Sequence, residues 1–274
     1  MIEAILLFRE ALYGALVIAI ACSVLGVYVV LRRIVFVGAA LAQISSAGIA
    51  LALWLGGIGA LSGLAAHPLV FSIAATLLGV AFFALTGHGA IAPDAKIGAT
   101  YALAAAAGIL LIAKAKTGEA HDIFLQGNIL GITRTDTLVL IAATLPVLVV
   151  HWVFFKEFLF VSFDRETART LGYRVRAWDL ALYLTLGLVI AFAMQFAGVM
   201  LVFNFLVLPA VTGRLIATGM RGTFLWSIAS ALLAAVVGFS LSIPFDLPSG
   251  PSIIAISGAL LLVAWIRSLT VRSG

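Results

Sequence analysis

Long apolar runs separated by short polar stretches set the pattern of this chain. Runs of about 20 continuous apolar residues predict membrane-crossing helices, whereas barrel strands alternate apolar and polar positions. In order, the runs fall at 11–31, 35–55, 69–86, 97–113, 137–155, 178–193, 197–213, 223–241 and 252–266. The expected fold is all-α: a polytopic transmembrane helical bundle of about nine spans in one domain over 1–274. The join near Gln195 is tight, and reading the sixth and seventh runs as one broken helix gives eight. A cleavable leader is not expected, because the first run lacks a basic leading segment and continues to Leu31.

Composition agrees with the pattern. The chain is 64% hydrophobic with a mean hydropathy of +1.24, against roughly 45–50% apolar residues in soluble domains. One cysteine, Cys22, lies inside the first run, which excludes a disulfide framework or a Cys-rich metal site. The net charge of +5 does not point to nucleic acid, since in a membrane protein the placement of basic residues matters more than their sum. Nine spans put Arg32, Arg33, Lys96, Lys156, Arg165, Arg169, Arg174, Arg176, Arg214, Arg221, Arg267 and Arg272 on one side, 12 of the 16 basic residues. Arg9, Lys114, Lys116 and Arg134 fall on the other. The richer side is expected to be cytoplasmic.

The densest polar stretch is Ser162 to Arg176, SFDRETARTLGYRVR, with four arginines, one Asp and one Glu in a chain that is 10% charged. Its pattern predicts a short wet helix over about 162–173. Ser162 and Asp164 are cap candidates, and Gly172 suits a left-handed stop. Phe163, Thr167 and Leu171 form an apolar stripe at four-residue spacing, with Arg165, Glu166 and Arg169 facing elsewhere. Such a helix is either a connector or a docking element for a soluble partner. The chain has no G-x-x-x-x-G-K-[ST] phosphate loop and no H-E-x-x-H pair, and Asp136 and Asp179 lie only at span ends. It is therefore expected to be no enzyme.

Four stretches together resemble the permease subunit of metal-importing ABC transporters, the ABC-3 group. They are GVYVVLRRIVFVGAALAQISSAG (26–48), LQGNILGITRTD (125–136), SFDRETARTLGYRV (162–175), and FAGVMLVFNFLVLPAVTGRL (196–215) paired with DLPSGPSII (246–254). The resemblance implies a homodimer in the cytoplasmic membrane, importing a divalent metal ion such as zinc, manganese or iron. It implies a cytoplasmic ATPase subunit that uses the ATP, an extracytoplasmic substrate-binding protein, and no cofactor held by this chain. Phe163, Asp164, Arg165, Glu166, Arg169, Leu171 and Gly172 would form the helix that contacts the ATPase. An ATP-independent secondary transporter or channel, an ABC permease for a non-metal substrate, and a membrane scaffold are the other readings.

The family often carries an Asp and, four residues later, a His in its second span; here those positions are Ala39 and Gln43. Ala39 has no ligand atom, and the Gln43 amide is a weak neutral ligand. Gln43, Ser45, Ser46, Asn204 and Gln195 are the candidates for a polar path, with helix-to-helix hydrogen bonding as the alternative for each. His67, His88, His121 and His151 are scattered. His151 reads as an interfacial residue beside Trp152, and Glu119, His121 and Asp122 as a mixed-charge loop. Gly198 and Pro209 are the candidates for a bend or gate. The turn from Pro244 to Pro251 would suit an outer lip for a binding protein.

Overall fold

The computed structural model describes residues 8–59, 63, 67–85, 93–115 and 129–272. His88, Lys116, Glu119, His121, Asp122 and the first part of the LQGNILG segment lie outside the described residues. The helices are α1 (Arg9–Leu31), α2 (Val35–Gly57), α3 (Pro68–Leu85), α4 (Pro93–Lys114), α5 (Arg134–Val153), α6 (Phe155–Phe163), α7 (Arg165–Thr170), α8 (Val175–Ile216), α9 (Met220–Ser242) and α10 (Ser249–Arg272), with a 3-10 turn at Ile129–Gly131. Seven helices among the described residues (α1, α2, α4, α5, α8, α9 and α10) are long and apolar enough to cross a membrane, and α3 carries a shorter apolar stretch.

Interhelical contacts fix the direction of each helix. At one end of the bundle, Thr137 at the start of α5 donates to the Glu10 carbonyl at 3.4 Å. The start of α5 is itself set by Thr133 and Asp136, each accepting from the other's backbone N–H as a capping box. At the opposite end Arg32, just past α1, reaches Asp179 near the start of α8. Gly238 of α9 meets Ile253 of α10 at the Glu10 end, and Gly213 of α8 meets Thr223 and Ser227 of α9 at the Arg32 end. Arg32, Arg33, Arg165 and Arg214 thus gather at one end of the molecule.

Small residues let the helices close in. A Cβ on Gly26 would lie 2.1 Å from the Leu206 carbonyl oxygen, so α1 and α8 touch backbone to backbone there. Around this seam Ile18, Leu25, Tyr28, Leu201, Phe205 and Leu206 are fully buried.

The 42-residue α8 covers both the sixth and seventh expected spans. A straight helix would hold Asp179 and Arg214 about 50 Å apart, at roughly 1.5 Å per residue. Yet Arg32 bonds to Asp179, and the next residue, Arg33, lines one cleft with Arg214. The helix therefore folds back on itself. The break is Gly198, whose φ of 71° and ψ of 168° suit glycine. Pro209, the other bend candidate, sits inside the second arm with helical backbone. The sequence suggested two spans with a join near Gln195; the structure shows two arms with no loop between them.

The candidate coupling site and the polar stripe

The charged stretch folds as two short helices rather than one. α6 runs to Phe163, and α7 covers only Arg165–Thr170, six residues. Asp164 between them is extended and caps α7: the Thr167 N–H donates to its carboxylate at 3.0 Å and the Thr167 hydroxyl at 2.5 Å. These bonds, the hydroxyl's first, hold the Asp164 carboxyl below its usual range. Gly172, at φ 85°, ends the helix. Its N–H bonds to Arg169 O and that of Tyr173 to Ala168 O, a Schellman closure.

Two expectations for this stretch need correction. Ser162 is no cap, because it belongs to the last turn of α6 and its hydroxyl donates to Phe158 O at 2.5 Å. Nor does the stripe of Phe163, Thr167 and Leu171 lie along one helix, since Phe163 ends α6. Phe163 and Leu171 are each 66% exposed, and Thr167 is spent on the cap. What anchors α7 is Ala168, buried against Val161 and Val175. Glu166 and Arg169 face outward.

Behind α7 lies a charged junction. Asp179 accepts from Arg32 Nη1 at 2.5 Å through one oxygen and from Arg165 through the other. The Arg32 side chain is only 2% exposed, and its Nε donates to Ser162 Oγ at 2.8 Å. Four elements, α6, α7, α8 and the end of α1, therefore meet at one carboxylate and one guanidinium. Removing one member of a buried pair costs about 3–5 kcal/mol, because the other charge stays buried. The Arg165 arm, half in solvent, contributes about 0–1 kcal/mol.

Sequence reading placed Asp179 at a span end and did not pair it. The available signal was an acid among arginines at the edge of a bilayer, where an unpaired charge is costly. His151 also departs from expectation. It is 2% exposed, its Nδ1 meets Val147 O at 3.0 Å, and its ring stacks on Phe158 with centroids 4.3 Å apart. Tyr28 and Trp178 close around Phe158, forming an aromatic block behind the junction. Trp152 beside it is the exposed residue of the two.

The second candidate region is α2. Ala39, Gln43 and Ser46 follow i, i+4, i+7 spacing and share one face of the helix. All three are buried, and Gln43 Oε1 and Ser46 Oγ find no hydrogen-bond partner among the described residues. Ser45 points elsewhere: its hydroxyl meets Ser72 Oγ of α3 at 2.7 Å, and Ser72 donates to Ala191 O of α8 at 3.2 Å. Asn204 lies away from this stripe, its amide donating to Ser257 of α10 at 3.1 Å while Oδ1 has no partner among the described residues. Leu206, two residues on, is the one that meets Gly38 of α2. Ser45 and Asn204 thus serve helix-to-helix hydrogen bonds, and Gln195 is half-buried beside the Gly198 break. Among the described residues no three His, Cys, Asp or Glu side chains converge as a metal cluster.

Comparison with known proteins places these features in context. Residues 4–268 match the profile of the ABC 3 transport family. The manganese import system permease protein ScaB of Streptococcus gordonii is 32% identical over 94% of this chain and 90% of its own length. A probable iron transport system membrane protein of Haemophilus influenzae is 30% identical over 93% and 92%. Among solved structures, PsaBC from Streptococcus pneumoniae in complex with Fab superposes with a TM-score of 0.83 at 28% identity, covering 96% of this chain and 94% of that one.

Proposed function

Because the chain belongs to the ABC 3 transport family and is a multi-pass permease of the cell membrane, we propose that it imports a divalent metal ion of the manganese or iron class. It works as a homodimer with a cytoplasmic ATPase below and a substrate-binding protein above. The chain crosses the bilayer nine times, each arm of α8 counting once, with the Arg32 end in the cytoplasm. The fold-back at Gly198 supports that count, and the gathering of arginines at one end supports the orientation.

The observation that carries the reading is α7, a short capped helix standing out from the arginine-rich end with Leu171 and Phe163 exposed beside it. A soluble ATPase can receive such a helix in a groove, and its closure on ATP then shifts the spans between inward-open and outward-open states. The path is assigned to the α2 face of Ala39, Gln43 and Ser46. Its unpaired oxygens suit a hard, partly hydrated ion such as manganese better than zinc, which prefers nitrogen and sulfur ligands.

The test is uptake by proteoliposomes holding this chain, its ATPase and its binding protein, with manganese, iron and zinc offered in turn. ATP-dependent accumulation of manganese or iron is expected. Leu171→Asp should abolish it by weakening ATPase capture while the protein still inserts. Equal uptake without ATP would favour a secondary transporter and overturn the importer reading.

A further inference from the structure

We propose that Asp179 is the joint through which displacement of α7 reaches the translocation path, with Arg165 as its lever. The inference rests on the importer reading. α7 is six residues long and its one buried side chain is Ala168, set against Val161 and Val175 with Phe160 and Trp178 packed around them, a footing on which a short helix can pivot. Arg165 extends from the first turn of α7 to Asp179. That carboxylate is fixed from behind by Arg32, whose own Nε is bound to Ser162. A pull on Arg165 therefore acts on a group tied to the end of α1, to α6 and to the first arm of α8 at once.

The arm carries the motion onward. It is helical from Val175 to the break at Gly198, and at Ala191 its carbonyl accepts from Ser72, which is bonded to Ser45. Ser45 neighbours Ser46 and lies two residues from Gln43, on the helix that presents the polar face. Docking helix and path are thus linked by one rigid arm with a polar contact at each end.

Arg165→Gln, Arg165→Lys and Asp179→Asn complexes, each with ATPase and binding protein, are compared in proteoliposomes by ATP hydrolysed per ion accumulated. Among complexes that assemble, Arg165→Gln should raise the ATP-per-ion ratio roughly tenfold, inside the usual range of coupling between sites. Arg165→Lys, which keeps the charge, should recover most of the loss. Asp179→Asn, which lies behind α7 and not on it, should show the same rise; if it does not fold, Arg165→Gln alone decides. An unchanged ratio in Arg165→Gln, or loss of ATPase capture in place of coupling, overturns the inference. Wild-type complexes that show no ATP-driven uptake would instead overturn the importer reading, and the inference with it.

Discussion

Gln43 and Ala39 stand on a buried helix face where one more ligand atom changes what the face can hold. A neutral amide oxygen must compete with water for a divalent ion, while a carboxylate and an imidazole four residues apart bind it directly. Both side chains are under 10% exposed, Ala39 at 8% and Gln43 at 7%, so new groups there would be poorly hydrated and would seek a partner. Ala39→Asp with Gln43→His is therefore expected to create a zinc site that the native chain lacks. Metal content of the purified protein after chelation and dialysis measures it, at about one ion per chain in the variant. Native protein that retains zinc equally would show that the path uses other ligands. At this scale the sequence was uneven. Asp164 and Gly172 were readable as cap and stop, because both act on backbone within three residues. The Arg32–Asp179 pair was not, since its members are 147 positions apart and only folding brings them together. Ser162 failed as a cap because α6, which no apolar run marked out, continues through it to Phe163.

Among the elements, α8 departs furthest from a simple span. Two arms meet at a residue whose backbone angles exclude a side chain without strain, so Gly198→Ala is expected to destabilise the protein by about 1–3 kcal/mol. Thermal unfolding in detergent would register this as a lowered midpoint, and an unchanged midpoint would mean the break relaxes elsewhere. The apolar runs located α1 to α5 and α8 to α10 because hydropathy and length respond to the bilayer. They left the Gln195 join open because a one-residue break has no polar signature. They stopped at about 155 and did not anticipate α6, which begins there after the bend at Phe154.

For the molecule as a whole, the contacts and the arginines agree on two ends. Glu166 lies at the end with Arg32, and the exposed turn before α10 lies at the end with Glu10. Single cysteines at Glu166 and Leu247, in a Cys22→Ser background, are expected to react with an impermeant thiol reagent from opposite sides of the membrane. Leu247 is 52% exposed and α7 is wet, so both sites are open to the reagent. Labelling of both from one face would overturn the nine-crossing arrangement. The bundle was legible in the chain's pattern, because lipid imposes long apolar helices on any sequence that crosses it, whereas the family showed only through the four stretches that resemble it.

The dry turn at Gly198 bears on how this protein is made. Ala197, Gly198 and Val199 are all buried, and no polar loop separates the arms. During synthesis, neither arm has a hydrophilic segment of its own to hold it on the far side of the bilayer. In the proposed nine-crossing arrangement the first arm starts at Arg174 and Arg176 and the second ends at Arg214, so all three charges stay on the side where the ribosome sits. In that arrangement the pair enters the membrane as one hairpin, its tip drawn across by the grease of both arms together.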